Sequence, residues 1–368
     1  MQNSASVLAP RATSSSYFSV FQGDVKILRE SLYRYAETLP PPLTLTLINH
    51  YEERIKRAQG LPMLGEYTPF ILGDLFNLKP EVFDKITLPW FLMYEYTLLL
   101  DDLIDLPRIS VQRELALSQV LLSSSFNEFR RILGDDESLW TTIDSYLHQW
   151  LVGSLHEVDS GDMREEWYGQ EALRQQGRRA AIAKLCAAAL VYLDQKRLPT
   201  AHEERGLDHF CSGFMLLDDL ADVHEDYKEG RQNSLLETTR EWFRTTVPET
   251  TIPWRHLSIH QLTVGLIYSG SISRSWNAAS EEIEKGLACF SDSKSQIVDF
   301  FTSLSVSCRD SSRLIDEIVG DLLPSSHELL VTESQEQRSK VIELGSAMLK
   351  NSWEKILRQV EDGPKACQ

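Results

Sequence analysis

The sequence predicts an all-α protein, a single-domain bundle of about ten or more helices. Apolar residues recur at three- and four-residue steps along most of the 368-residue chain, which is the period of an amphipathic helix. Alternating strand patterns are almost absent, and neither a glycine-rich phosphate loop nor a dinucleotide-binding fingerprint occurs. Because no stretch is typical of a domain linker, we expect one domain over residues 17–360, between a disordered N-terminus (1–16) and a flexible tail (361–368).

Breaker residues divide this pattern into helices in chain order. Pro40-Pro41-Pro42 ends the first amphipathic segment, and Pro107 ends the segment that carries the first group of aspartates. The polar stretch 159–166 predicts a loop, and Gly230–Pro253 has the turn and breaker signals of a loop or lid. The expected helices run from 17 to the Pro40 break, then over 43–58, a short segment before 77, 88–106, 111–133, 139–158, 172–193, 203–227, 256–279, 281–290, 295–319 and 335–360.

Composition and charge disfavour several classes of function. The chain has 54 acidic and 37 basic residues, a net charge of −17, so the phosphates of a nucleic acid would be repelled. Its five scattered cysteines include no CxxC pair, which disfavours a disulfide framework or a zinc site. The N-terminus lacks the apolar core of a secretory signal, and no stretch reaches the length of a membrane span without a charge or proline. We therefore expect a soluble, cytoplasmic protein.

Two groups of aspartates follow apolar runs more than a hundred residues apart. The first aspartate cluster is Asp101, Asp102 and Asp105, and the second aspartate cluster is Asp218, Asp222 and Asp226. A four-residue spacing puts Asp101 and Asp105 on one face of a helix, with Asp102 beside them, and it does the same for the three aspartates of the second cluster. Like charges at this spacing repel and add no stability. Hard divalent cations bound by carboxylate oxygens would compensate for this repulsion.

Magnesium bound between two acidic helices would in turn bind a diphosphate, whose departure as a leaving group the metal assists. Such a site needs cations as well. Arg178 and Arg179, with Lys184 on the same predicted helix, lie between the two clusters, and Arg231 follows the second. Guanidinium groups bind diphosphate bidentately, which makes the arginine pair the first candidate for holding the leaving group.

These motifs resemble a known superfamily. DDLID at Asp101–Asp105 is similar to the aspartate-rich motif of class I terpene synthases and trans-prenyltransferases. DDLADVHED at Asp218–Asp226 resembles their second metal motif, although Asp222 replaces the hydroxyl of the cyclases and Glu225 stands where a base is common; it also fits the second DDxxD of the prenyltransferases. The likeness is specific over roughly residues 88–106 and 178–233 and architectural elsewhere.

The resemblance implies a class I terpenoid synthase-like helical bundle around a central cavity. It also implies Mg²⁺ as the cofactor, in a three-ion cluster with diphosphate and with Mn²⁺ as the alternative ion, and a homodimer. Prenyltransferases usually bind isopentenyl diphosphate with a Gly-Gly-Lys-Arg turn before the first motif. Here that place reads Leu64-Gly65-Glu66-Tyr67, which favours a cyclase because an acid and a phenol supply no cation for a second diphosphate. The Arg-Tyr pair common near the C-terminus of microbial cyclases is not evident, and Arg309 or Arg313 is a candidate substitute.

A cyclase also needs an aromatic cavity that shelters carbocations by cation–π contact. The candidates for contact with the substrate are Trp90, Tyr94, Phe214 and Trp276. The leading hypothesis is a magnesium-dependent terpene cyclase that converts a linear prenyl diphosphate, most simply farnesyl diphosphate, into a sesquiterpene. The alternatives are a trans-prenyltransferase that makes a short-chain isoprenyl diphosphate and a non-catalytic all-α scaffold or regulatory subunit.

Overall fold

The computed structural model describes residues 17–58, 63–105, 112–158, 168–246, 253–290, 292–322 and 334–362, and these form an all-α fold with no strand among them, as predicted. The fourteen α-helices of these residues are α1 Gln22–Ala36, α2 Pro41–Ala58, α3 Leu64–Leu75, α4 Phe83–Asp105, α5 Gln112–Leu133, α6 Glu137–Val158, α7 Gln170–Gly177, α8 Ile182–Gln195, α9 Ala201–Glu229, α10 Ser234–Thr246, α11 Ile259–Tyr268, α12 Ser271–Leu287, α13 Ser295–Leu322 and α14 Gln335–Asp362. The predicted disordered segment 1–16, the predicted loop 159–166 and residues 363–368 of the predicted tail lie outside the described ranges. None of the described helices combines the length and the apolar character that a membrane span requires.

Two long helices, α4 and α9, carry the aspartate clusters. Helix α4 packs against α3, α5 and α8, whereas α9 packs against α7, α10 and α12. The buried apolar side chains form one continuous core that extends from Tyr17 to Leu349. The two acidic segments are therefore held by different neighbours within one core.

Local signals at both ends fix the position of α9. A capping box begins it: the Thr200 hydroxyl accepts a hydrogen bond from the Glu203 amide, and the Glu203 carboxylate accepts one from the Thr200 amide. The helix ends at Gly230, which adopts φ +76° and donates its amide to the Asp226 carbonyl. These two caps place the second aspartate cluster in the last turns of the helix.

Three element boundaries differ from the prediction. The predicted loop or lid at Gly230–Pro253 contains helix α10, because Leu235, Leu236, Thr239 and Phe243 form a buried face. The predicted helix 172–193 is interrupted by a 3₁₀ turn at Arg178–Ala180. The break predicted at residue 280 lies instead at Gly270, between α11 and α12, where φ is +68°.

Prolines account for two smaller differences. Helix α2 begins at Pro41, two residues before the predicted start, because proline is tolerated in the first turn, where its missing N–H has no helical partner. Helix α4 begins at Phe83 and continues through Pro89, which removes one backbone hydrogen bond without ending the helix.

Candidate active site

One cavity brings both aspartate clusters together. It has a volume of about 360 Å³ and is lined by residues of α3, α4, α6, α8, α9 and α13. Its aromatic lining residues are Trp90, Tyr94, Trp150, Phe210, Phe214 and Phe301. Among the described residues, the charged side chains in its lining are Asp101 of α4, Asp218 of α9 and Arg179 of the turn between α7 and α8. The cavity thus combines apolar walls with two carboxylates and one guanidinium.

The helical repeat of α4 explains which of its residues line the cavity. Tyr94, Leu98 and Asp101 follow one another at four- and three-residue steps, and all three line it. Glu95 and Asp102 lie one position further along, so they are turned by about 100° onto a neighbouring face. Asp101 and Asp102, although adjacent in sequence, therefore point in different directions.

Asp102 contacts α2 instead of lining the cavity. Its Oδ2 lies 3.1 Å from Nε2 of His50, and Nδ1 of the same ring lies 3.7 Å from Oε2 of the fully buried Glu95. The second Glu95 oxygen accepts a hydrogen bond from Arg54. Burial alone would lower the pKa of His50, but the hydrogen bond to Asp102 and the nearby Glu95 carboxylate outweigh it and raise that pKa. The backbone of Asp105 ends α4, and its side chain lies outside the described part of the structure.

Asp218 of the second cluster is followed by Asp219, and these two adjacent side chains also point in different directions. Asp218 is about half exposed, lines the cavity and lies 3.6 Å from Arg179 Nη2. Asp219 is buried and accepts hydrogen bonds from Arg179 Nη1 at 2.9 Å, from Gln176 Nε2 at 2.9 Å, and from the amide and hydroxyl of Ser234 at 2.9 and 2.7 Å. Asp219 was not predicted as a site residue. It links α9 to the 3₁₀ turn Arg178–Ala180, called the arginine turn below, and to the start of α10.

The remaining carboxylates of the second cluster are strongly perturbed. The surrounding protein displaces part of their water, which raises the pKa of Asp222 to about 8 and that of Asp226 to about 7, and repulsion from neighbouring acids adds to both shifts. The pKa of Asp218 is raised for the same first reason, opposed by Arg179. Asp226 also accepts a hydrogen bond from Asn233 Nδ2 at 2.8 Å. Added positive charge would relieve this concentration of carboxylates.

The four predicted cations have different surroundings in the structure, and only some of them lie at the cavity. Arg179 lines the cavity, while Arg178 donates to Gln175 at 2.6 Å and is not part of the lining. Lys184 is buried, forms an ion pair with Asp208 at 2.7 Å and lies outside the cavity lining. Arg231 pairs with Glu229 and lies 3.7 Å from Asp226.

Close packing at two glycines holds the arginine turn in position. A Cβ at Gly153 of α6 would lie 2.7 Å from the Arg178 carbonyl carbon, and one at Gly177 would lie 2.7 Å from the Ser212 hydroxyl of α9. Because Gly153 and Gly177 have no side chains, the arginine turn fits between α6 and α9. Arg179 of this turn then lines the cavity. Any larger residue at position 153 would have to displace this backbone.

Three of the four predicted aromatic contacts line the cavity, namely Trp90, Tyr94 and Phe214. The Tyr94 ring lies directly over Gly65, where a Cβ would come within 2.0 Å of it. Trp276 lies elsewhere: it is fully buried and donates its Nε1 proton to the Met348 carbonyl at 3.4 Å.

The donor set fits magnesium in kind. All candidate ligands are carboxylate oxygens, which Mg²⁺ prefers. Burial, with acidic neighbours adding to it, raises the pKa of Asp222 and Asp226, and a bound cation would favour their charged forms. No three acidic, histidine or cysteine side chains of the described residues converge tightly enough to form a complete metal site by themselves. Magnesium commonly keeps waters and takes further ligands from substrate phosphates, so a site with two separated acidic sides remains chemically suitable.

Glu66, in the segment Leu64–Tyr67, forms a partly buried ion pair. Glu66 is fully buried and accepts hydrogen bonds from Arg29 at 3.0 and 2.6 Å and from the Tyr51 hydroxyl at 2.6 Å. The Tyr67 ring is also buried and packs against Phe18. The buried acid at position 66 is therefore paired with an arginine that remains partly exposed.

Sequence reasoning missed His50, Arg54 and Glu95, which lie behind the first cluster. One signal was available for Glu95, because it is the single charged residue in the apolar run WFLMYEYTLLL and a buried charge needs a partner. Its partners are more than 40 residues away on α2, and no local pattern identifies them.

Comparison with solved structures shows the same fold in two prenyl pyrophosphate synthases. A geranylgeranyl pyrophosphate synthetase from the archaeon Geoglobus acetivorans aligns with a TM-score of 0.58 and 15% identity, covering 81% of this chain and 100% of that one. A medium/long-chain prenyl pyrophosphate synthase from Arabidopsis, in its apo form, aligns with a TM-score of 0.53 and 14% identity, covering 91% of this chain and 99% of that one. No protein-family model and no curated protein matches the sequence. The comparisons confirm the predicted isoprenoid synthase-like architecture at the level of the fold.

Proposed function

We propose that this chain is a magnesium-dependent enzyme that breaks the allylic C–O bond of a prenyl diphosphate such as farnesyl diphosphate. One observation carries the proposal: Asp101 and Asp218, from two separate clusters, line the same cavity as Arg179, and its other walls are apolar and aromatic. A prenyl diphosphate has the matching polarity, with a highly charged head and a long apolar tail.

Each group of residues has a role in this proposal. The metal ligands are drawn from Asp101, Asp102, Asp105, Asp218, Asp222 and Asp226. Arg179 binds the diphosphate through its guanidinium, and Arg178 lies next to it as a second cation. When bound, Mg²⁺ would neutralise the charge that develops on the leaving diphosphate. Lys184 and Trp276 are assigned no contact with substrate, because Lys184 is buried in an ion pair with Asp208 and Trp276 is fully buried against the Met348 carbonyl.

The cavity walls act on the organic part of the substrate. Trp90, Tyr94 and Phe214 present aromatic rings to the prenyl chain, and such rings stabilise an allylic cation by cation–π attraction. They also keep water away from the cation, which would otherwise be captured as an alcohol. This role is common to every reaction that begins with ionisation of the substrate.

The comparisons favour chain elongation as the step that follows. The two solved structures compared above are prenyl pyrophosphate synthases, which supports a trans-prenyltransferase better than the cyclase that leads the sequence-based hypotheses. In elongation the alkene of isopentenyl diphosphate attacks the allylic carbon, a C–C bond forms, a proton is lost and the product keeps one diphosphate.

Terpene cyclisation is the second candidate, because one contact favours it. Glu66 stands where the prenyltransferases that the motifs resemble place a cation, and this buried acid forms an ion pair with the partly exposed Arg29. An acid that also occupies a nearby arginine should weaken binding of a second diphosphate. With a single diphosphate site, the cation would react within its own chain and yield a phosphate-free terpene.

One set of incubations with Mg²⁺ tests the proposal and separates the candidates. The purified protein is supplied with farnesyl diphosphate alone, and with dimethylallyl, geranyl or farnesyl diphosphate plus radiolabelled isopentenyl diphosphate. A longer labelled diphosphate supports the transferase, and a volatile hydrocarbon or alcohol from farnesyl diphosphate alone supports the cyclase. Unchanged substrates in every incubation would contradict the proposal and favour the non-catalytic scaffold. Asp101→Asn and a chelator serve as controls.

A further inference from the structure

A series of contacts between ionisable side chains connects α2 to the first aspartate cluster. His50 and Arg54 lie one helical turn apart on α2, and Glu95 and Asp102 lie two turns apart on α4, so the two pairs occupy facing surfaces. The contacts run from Arg54 to Glu95, from Glu95 to His50, and from His50 to Asp102. Both ring nitrogens of His50 thus face a carboxylate.

Glu95 and Arg54, at one end of this series of contacts, are held firmly in place. Glu95 is fully buried, and its partner Arg54 lies 5.6 Å from the ring centroids of both Tyr51 and Tyr94. A buried carboxylate persists only with a well-placed cation, so Glu95 and Arg54 hold each other in position. The His50 side chain, which is 12% exposed, has this pair on one side and Asp102 on the other.

We propose that His50 is a positioning residue for the first aspartate cluster, an inference that rests on the proposed function. The hydrogen bond between His50 Nε2 and Asp102 Oδ2 fixes the rotation of the last turn of α4. Because Asp101 is about 100° away around the helix, fixing Asp102 on α2 directs Asp101 into the cavity. Groups that orient metal-binding carboxylates by hydrogen bonding typically change metal affinity by about 10–100-fold when they are removed.

Metal affinity separates positioning from simple packing. Binding of Mn²⁺ in the presence of inorganic diphosphate is measured by the electron paramagnetic resonance signal of the free ion, on the full chain, with thermal unfolding recorded in parallel. We compare the wild type with His50→Leu, which removes the hydrogen bond, and His50→Gln, whose amide nitrogen reaches the Nε2 position. His209→Leu is the matched control, because His209 forms a similar pair at 2.7 Å with Glu282 of α12, which belongs to neither aspartate cluster.

The expected result is a Mn²⁺ affinity about 10-fold or more below wild type for His50→Leu, with substantial recovery in His50→Gln and no loss in His209→Leu. Should His50→Leu fail to fold, His50→Gln is compared with His50→Asn, whose shorter amide does not reach Asp102, and Gln should bind more tightly. Wild-type affinity in folded His50→Leu, equal affinities of the Gln and Asn variants, or an equal loss in His209→Leu would overturn the inference alone. Absence of Mn²⁺ binding by the wild type would overturn the proposed function and the inference with it.

Discussion

The first aspartate of each cluster is followed directly by another aspartate, which gives the pairs Asp101-Asp102 on α4 and Asp218-Asp219 on α9. In each pair the first residue lines the cavity and the second is turned toward protein. The second residues differ in how they are held: Asp219 is 1% exposed and accepts four side-chain and backbone hydrogen bonds, whereas Asp102 is 28% exposed and contacts His50.

Asp219 and Asp102 therefore have different roles, although both are the second aspartate of a pair. On α9 the second aspartate ties three elements together, so it belongs to the fold as much as to the site. On α4 the second aspartate is held from α2 at a partly exposed position. We therefore expect α9 to present its carboxylates in a fixed arrangement, and the end of α4 to adjust more readily when a ligand binds.

The largest expected effect is on stability, in Asp219→Ala. Removing this carboxylate leaves Arg179, Gln176 and the start of α10 without their shared acceptor, and breaking a buried pair in this way costs about 3–5 kcal/mol. Denaturant unfolding measures the loss. The neighbouring Asp218→Ala is the control and should unfold like wild type; equal losses in the two variants would remove the distinction between them.

A somewhat smaller effect is expected on turnover in Asp101→Asn and Asp218→Asn. Each removes a charge that faces the cavity, and we expect kcat/KM for prenyl diphosphate consumption to fall by about 100-fold or more, as on loss of one electrostatic group aimed at a developing charge. Their unfolding midpoints should stay equal to wild type or rise, because a repelled carboxylate is gone. Normal turnover in either folded variant would contradict the role of its cluster.

Asp102→Asn tests the weaker anchor. The substitution keeps the shape and exchanges a charged acceptor for an amide, and at a partly exposed position we expect a loss of only about 1 kcal/mol in the free energy of unfolding. Measured beside Asp219→Asn, it should be clearly the milder change. A loss as large as that of Asp219→Asn would show that both anchors belong equally to the fold.

The smallest effect is expected for Asp222→Ser. A hydroxyl oxygen still serves as a ligand, and the substitution removes a carboxyl whose pKa is raised to about 8 by loss of water and by its acidic neighbours. We expect turnover to fall by about tenfold, the low end of what loss of a metal-site group costs. The control is Asp218→Ala, which should be far less active. Equal losses in both would mean that the charge of Asp222 is required.

The sequence predicted what depends on local periodicity and spacing. The all-α class follows from the three- and four-residue period, and the capping box and Gly230 mark the ends of α9 within a few residues of the prediction. The sequence also allowed the prediction that Asp101 and Asp218 face one cavity, because each follows an apolar run whose residues form part of the cavity wall.

Long-range pairing was not accessible from the sequence. Lys184 follows the arginine pair on the same predicted helix, yet Asp208 of α9 binds it outside the cavity lining. Helix α10 was hidden by turn signals on both sides, although its buried face repeats at helical intervals. The orientation of Asp102 depends on His50, which is 52 residues away, and no local pattern links the two.

The most direct test of the central claim, that both clusters serve one ligand, is a calorimetric titration of inorganic diphosphate in the presence of Mg²⁺. The proteins are the wild type, Asp101→Asn, Asp218→Asn and the double variant. If both carboxylates act on one metal–diphosphate assembly, each single variant loses affinity and the double loses little more than the weaker-binding single, a coupling of about 1–3 kcal/mol. Losses that add fully in the double variant, or single variants that bind diphosphate as tightly as wild type, would contradict a shared site.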